Sequence, residues 1–306
     1  MIHKQFHILF TVVFFAMLAG ASCADAQLVR GGENSPAFKM VTERPLLVLY
    51  TGDELFDQGL ENSFKKYWTV SEYKFIEPKE LSEYNTNKEY NYFTIYSSGY
   101  VTAKTNVTGD ETDINGFSLV VSAADPKYIE VANLSAYIPF NNKIAAFYAQ
   151  EMTPYDSVRM DYIICGLNSM YEAIGQYKIK GLTTTSFGKI LEEFSSYYAG
   201  QISHKTLLVL DEMTKPQGSK NYQFIDPAVF KSYPFKYKIV SMEEFTRLSN
   251  SNSKDYCFLD YVDNDFKYIF IYDVATKKLL YGDMPVAKEH ILSDKDIEAI
   301  TKAIRD

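Results

Sequence analysis

The chain has 306 residues, a net charge of −8 at neutral pH and 46% hydrophobic residues, 25 of them Tyr and 21 Phe. An acidic sequence with no Lys/Arg cluster excludes a nucleic-acid role, because a phosphate backbone needs concentrated positive charge. Three cysteines with no Cys-x-x-Cys pair disfavour thioredoxin-type redox chemistry.

The N-terminus reads as an export signal over residues 1–26. His3 and Lys4 precede an uncharged apolar run from Ile8 to Ala21, and Ala24-Asp25-Ala26 supplies a small-x-small cleavage site, leaving Gln27 as the mature terminus. The run is shorter than the roughly 20 residues of a membrane span. Cys23, following Gly20-Ala21-Ser22, offers the competing reading of a lipid anchor. No later segment is long and apolar enough to span a bilayer, so no membrane span is expected in the mature chain. About 280 mature residues suffice for two ordinary domains.

Residues 27–43, with Gly31-Gly32 and Ser35-Pro36, read as a flexible lead. Leu46–Tyr50 is a continuous apolar run of strand length, which suits a strand covered on both faces. Thr51-Gly52-Asp53 turns the chain. Asp53 suits an N-cap, and Phe56, Leu60, Phe64 and Tyr67 then recur at helical spacing. Tyr73–Ile76 is a second strand, Pro78 opens a short helix, and Tyr92–Ser97 is a third strand. A polar loop from Thr105 to Gly116 leads to strands at Phe117–Val121 and Tyr128–Val131.

Two helices follow. Pro154 and Asp156 open the first, with Val158, Ile163, Leu167, Met170 and Ile174 as its apolar face. Phe187, Ile190, Leu191, Phe194 and Tyr198 mark the second. The strand pattern then repeats. Leu46–Leu49 returns as Leu207–Leu210, and Tyr73–Ile76 as Tyr237–Val240. Tyr92–Tyr96 pairs with Tyr256–Asp260, and Phe117–Val121 with Tyr268–Tyr272. The stretch after Leu210, with Pro216 and Pro227, is helix-poor. Ser241 with Glu244 forms a capping box, Asp263-Asn264-Asp265 a tight hairpin, and Lys278–Tyr281 a last strand. A closing helix from Ser293 puts Ile297, Ile300 and Ile304 on one face, and the first connecting helix holds the same place in the first copy.

The fold expected is α/β with α+β character: two tandem β-α-β-α-β-β-β modules, over 44–139 and 204–306, joined by a helical segment over 140–203 that packs on both. The order of the echoes reads as a tandem duplication.

The catalytic inventory is thin. His204 and His290 are the only mature histidines, and neither has metal-ligand spacing. No Gly-x-Ser-x-Gly elbow or phosphate-binding glycine loop is present. Two acidic turns stand out, Asp53-Glu54 and Asp211-Glu212, because α/β sheets tend to bind ligands beyond the carboxyl ends of their strands. Such carboxylates could hold Mg²⁺ or exchange protons; capping a helix N-terminus is the plainer reading. The loop Glu111–Gly116 resembles the start of a calcium loop, but its twelfth position is Ser122 rather than Glu. Asp156-Ser157-Val158 resembles the Asp-Ser/Thr-aliphatic sites at which some Gram-negative bacteria O-glycosylate exported proteins, which would make Ser157 an acceptor. Cys165 and Cys257 read as small buried hydrophobes, with one disulfide as the alternative. No catalytic residue, metal or cofactor is expected.

Each module resembles the small α/β domains of bacterial envelope proteins, such as the N-terminal domain of TolB-type proteins and the periplasmic part of curli-secretion channels. The residues that carry this are Leu46–Tyr50, the helix end Lys65-Lys66-Tyr67-Trp68, the strand Tyr73–Ile76 and the short helix after it. The resemblance is topological, spans roughly 45–135 and 205–285, and implies binding or assembly rather than catalysis. No propeller repeat or channel-forming segment accompanies it, so neither family's specific role transfers. The expectation is an exported, periplasmic or surface-associated protein that binds another envelope protein or a small ligand, with the groove between the modules as the site; a carboxylate-dependent enzyme and a structural or assembly subunit of a cell-surface complex are the alternatives.

Overall fold

The computed structural model describes residues 36–50, 52, 54–84, 88–97, 117–123, 132–136, 154–177, 187–214, 225–263, 267–284 and 291–306. The class is α/β, as expected. The expected strand over 128–131, the loop 105–116 and the hairpin residues 264–266 lie outside these residues.

Helix α1 (Pro36–Glu43) precedes strand β1 (Leu46–Leu49), α2 (Glu54–Tyr67), β2 (Tyr73–Ile76), the single turn α3 (Leu81–Tyr84), β3 (Asn91–Ser97), β4 (Phe117–Ala123) and β5 (Ala132–Ala136). The long helix α4 (Pro154–Tyr177) and α5 (Phe187–Tyr198) lead to β6 (Thr206–Leu210), β7 (Tyr237–Val240), α6 (Met242–Asn250), β8 (Tyr256–Asp263), β9 (Lys267–Asp273), β10 (Leu279–Asp283) and α7 (Asp294–Arg305).

The ladders form two five-stranded sheets, ordered β2-β1-β3-β4-β5 and, in the same sense, β7-β6-β8-β9-β10. In each, the first strand pairs parallel with its two neighbours and the remaining strands run antiparallel. Leu46 opposes Tyr73 and Leu207 opposes Tyr237, so the first two sequence echoes coincide with the hydrogen-bond register. The third and fourth do not. Leu46 opposes Asn91 while Leu207 opposes Cys257, so Tyr92 corresponds to Phe258, two residues beyond Tyr256. Ser97 opposes Phe117 and Asp263 opposes Lys267, so Phe117 corresponds to Lys267 rather than Tyr268. Matching aromatic to aromatic slides a strand; ladder bonds do not allow it, and a one-residue slip would exchange its two faces.

Residues 36–43 correct the flexible lead. Pro36 opens a helix whose Met40 and Val41 are buried. Asn91 Nδ2 donates to the Met40 carbonyl at 2.6 Å, and Phe38 lies 6.0 Å from the Tyr171 ring. The first module therefore begins at α1.

The two modules stack in the same sense. On the first sheet, Leu46, Val48, Phe75 and Phe93 share a face by register, and Phe64 of α2 packs on it, 4.9 Å from Phe93 and 5.7 Å from Phe75. Helix α4 lies against α2. Asp161 accepts from Ser63 Oγ at 2.7 Å and from Lys66 Nζ and Tyr67 OH at 3.3 Å, and Asn168 Oδ1 accepts from the Thr69 amide at 2.7 Å. The far side of α4 lies on the opposite kind of face of the second sheet: Tyr162 is 5.6 Å from Phe258 and 5.5 Å from Tyr272. Every residue from Tyr162 to Tyr171 is buried. This corrects the single apolar face read from the sequence, since a helix pressed from two sides is buried all round. One hydrophobic cluster thus runs from Val48 and Phe93 through Tyr162 to Phe258 and Ile300. Helix α4 fills the junction between the modules where a groove was expected.

Candidate functional site

The carboxyl ends of β1 and β6 are where an α/β sheet presents ligands. After β1 the chain passes through Gly52, whose φ of 88° lies in the left-handed region that glycine adopts without steric cost. The Gly52 amide donates to Asp57 Oδ2 at 3.0 Å, so Asp57, 9% exposed, closes the turn. Glu54 and Asp57 occupy the first turn of α2, complementing its dipole. Glu54 is exposed, whereas Asp53 lies outside the described residues.

Tyr50 follows β1 and stacks on Phe75 of β2 with ring centroids 5.2 Å apart. Its hydroxyl donates to Glu61 in a short hydrogen bond. That bond, then burial, then the charges of Glu61, Asp57 and Glu77 push the Tyr50 hydroxyl up to about 12. The rim is therefore a phenol held protonated among carboxylates, with hydrogen-bond acceptors facing solvent. Spacing made this legible: Glu54, Asp57 and Glu61 recur at i, i+3, i+7 on one helix face. Sequence reading singled out the adjacent Asp53-Glu54 pair and passed over Tyr50, Asp57 and Glu61.

At the end of β6 the same topological place is built differently. Asp211–Thr214 forms a 3-10 turn in which Thr214 Oγ1 donates to the Asp211 carbonyl at 2.8 Å, and the Ile225 amide returns to the Met213 carbonyl at 2.7 Å. Asp211 is half-buried, and the Glu212 side chain lies outside the described residues. Glu54 and the Asp211–Thr214 turn thus follow equivalent strands of separate sheets. Among the described residues no group of three or more His, Cys, Asp or Glu is arranged to hold a metal ion.

Ser157 lies near the N-terminal end of α4, and its side chain is outside the described residues, as are Cys23, the loop 111–116 and His290. His204, itself exposed, ends a 3-10 segment whose Ala199 and Ile202 are buried. Cys165 and Cys257 are buried and unpaired with each other. Burial pushes the Cys165 thiol up to about 12 and Cys257 upward as well. Both therefore stay protonated and pack as small hydrophobes.

Buried charge concentrates in the second module. Lys205 pairs with Asp273 at 2.6 Å, and Lys267 with Asp296, which also accepts from the Ser293 amide and hydroxyl at 2.6 and 2.7 Å. Burial raises Asp283, which accepts from Tyr281 OH at 3.3 Å. These groups hold strands and helix termini together. Among the described residues no helix is long and apolar enough to cross a membrane.

Comparison with family models, with curated proteins and with solved structures gave no match, so the residues alone carry the functional reading.

Proposed function

We propose that this is an exported, non-catalytic binding protein of the bacterial cell envelope, built on a duplicated α/β module, that engages a partner protein or small ligand at the carboxyl end of its first sheet. The observation that carries the reading is the Tyr50–Glu61 pair, polar and reaching solvent at the carboxyl end of β1 beside the buried Asp57, and without counterpart among the described residues at the end of β6. Equivalent sheets with different rims suit a scaffold whose specificity lies in its connections. The shifted groups elsewhere are engaged in packing and ion pairs rather than converging on a cleft, which favours binding over acid–base chemistry. The sequence signal over 1–26 supports export, with Cys23 as the anchor if the chain is lipidated.

The test is a comparative capture from envelope extract using the exported protein and a Tyr50→Phe/Glu61→Gln variant of equal stability. A partner or ligand retained by the parent and lost by the variant is expected. Equal retention by both would move the site away from this rim. Mass spectrometry of the exported chain checks the processing: a free Gln27 terminus supports simple cleavage, and a diacylglyceryl adduct supports the anchor at Cys23.

A further inference from the structure

The amino end of the first sheet holds a set of buried polar atoms that the protein leaves without partners. Arg44 Nη1, Trp68 Nε1, Ser71 Oγ, Asn91 Oδ1 and Tyr171 OH are shielded from solvent and make no hydrogen bond. Trp68, Asn91 and Tyr171 are 5%, 0% and 2% exposed, while Arg44 and Ser71 are half-buried. Such atoms are rare in folded proteins, because each forfeits the hydrogen bond it would make to water.

The elements that carry them meet at one place. Leu46 opposes both Tyr73 and Asn91, so Arg44, Ser71 and Asn91 stand at the starts of the parallel strands β1, β2 and β3. The Leu46 amide donates to the Glu72 carbonyl at 2.8 Å, and Asn91 Nδ2 donates to the carbonyls of Met40 at 2.6 Å and Arg44 at 3.4 Å. Trp68 follows α2 directly, where the Thr69 amide meets Asn168 of α4 at 2.7 Å. Tyr171, about one turn further along α4, lies beside Phe38 of α1. Four of the five atoms are donors, and Arg44 brings the positive charge. It makes no ion pair among the described residues, and Glu43 and Glu72 near it are exposed.

We propose that this end of the first sheet binds a small hydroxycarboxylate, with the Arg44 guanidinium as counter-ion and Trp68, Ser71 and Tyr171 as hydrogen-bond donors to the carboxylate. A buried guanidinium nitrogen without a counter-ion is costly, and a carboxylate supplies the acceptor sites that these donors lack. Arg meets that group in planar, charge-assisted geometry. Asn91 commits its Nδ2 to two carbonyls, so its free Oδ1 accepts from a donor on the ligand. A hydroxyl suits that place better than an ammonium, which would set a second cation near Arg44. The site lies at the opposite end of the sheet from the Tyr50–Glu61 pair and stands or falls independently of it.

Trp68 is the chain's one tryptophan, so its emission reports on the site directly. The experiment titrates the exported chain with sodium lactate, and separately with sodium chloride, at constant ionic strength, in the parent, Tyr171→Phe and Arg44→Gln. A saturable change in Trp68 emission is expected in the parent with lactate and not with chloride. Loss of one donor to the carboxylate should weaken lactate binding about tenfold in Tyr171→Phe, and loss of the charge should weaken it further in Arg44→Gln. Without lactate, Tyr171→Phe should leave the thermal midpoint unchanged or raised, because it removes a buried hydroxyl that has no partner. If Arg44→Gln does not fold, the parent and Tyr171→Phe decide the question. A change that does not saturate, an equal response to chloride, or equal lactate midpoints for the parent and Tyr171→Phe would overturn the proposal.

Discussion

Helices α4 and α7 both follow the last strand of a five-stranded sheet of the same order, yet they are built for opposite surroundings. In α7, Ile297, Ile300 and Ile304 are buried while Lys295, Glu298, Lys302 and Arg305 are exposed. In α4 an uninterrupted run from Tyr162 to Tyr171 is buried. The difference shows how two stacked modules become one body. Helix α4 is inside the stack and must satisfy a sheet and a helix at once, while α7 ends the stack and turns a charged face to water, as terminal units of stacked repeats do. The sheets differ in the same way. Both faces of the second are lined by the main hydrophobic cluster. On the first, among the described residues, the face of Leu47, Ile76 and Tyr92 forms a small separate cluster with Leu49, Leu81, Tyr84 and Tyr90.

The strongest way to break this contrast is to empty the centre. Tyr162→Ala removes a fully buried ring and strands its Ser249 partner, and should cost about 3–5 kcal/mol. Trp68, the chain's one tryptophan, is 5% exposed at the end of α2 and reports on the first module. Its fluorescence transition in denaturant should shift together with far-UV circular dichroism. A split between the two would mean the modules unfold separately.

Next in size is Gly166→Ala. A Cβ there would stand 2.7 Å from a Tyr272 ring atom, forcing α4 off β9 at a cost of about 1–3 kcal/mol. Gly282→Ala meets the flexible end of Leu191 at 2.7 Å, with the Phe270 ring at an ordinary 3.4 Å, and should lower the denaturation midpoint less. Equal shifts for the two would show that α4 is no more tightly held than α5.

At the outer end, Ser293→Ala removes the capping hydroxyl of α7 and should cost about 1 kcal/mol. If the core is continuous, Trp68 fluorescence should register that loss from the other module. An unchanged Trp68 midpoint would argue against it.

The smallest effect is expected at Tyr50. Its hydroxyl ionises in the folded chain only near 12, against 10 when unfolded, so its stabilisation is complete below pH 10 and lost as pH rises through 12. The difference between the parent and Tyr50→Phe in thermal midpoint should therefore narrow above pH 10. A constant difference would remove Tyr50 from the rim.

Much of this was legible in local pattern. Runs such as Leu46–Leu49 and Leu207–Leu210 declare buried strands by continuous branched and aliphatic residues, and Ser241 and Ser293 announce helix starts by side chains that bond within one turn. After Leu210 the described residues form 3-10 turns at Asp211–Thr214 and Pro227–Ser232 rather than an α-helix, and Pro216 lies outside the described residues. Residues 36–43 were misread because a short helix beside Gly31-Gly32 shows too little periodicity until Asn91 and Tyr171 hold it. Of the candidate site, Glu54 was seen, while Tyr50 looked like a strand residue and Asp57 like an ordinary surface helix residue.

By itself the sequence determined the α/β class and the places of strands such as Leu46–Leu49 and Leu207–Leu210, because strand burial, capping and turn chemistry act over a few neighbouring residues. Tertiary structure alone decided the register of the later strands, the placing of α4 between two sheets, and the meeting of Tyr50 with Glu61 and of Lys277 with Ser249. Those depend on ladder bonds and packing between residues far apart in the chain, where side-chain similarity carries no information about distance.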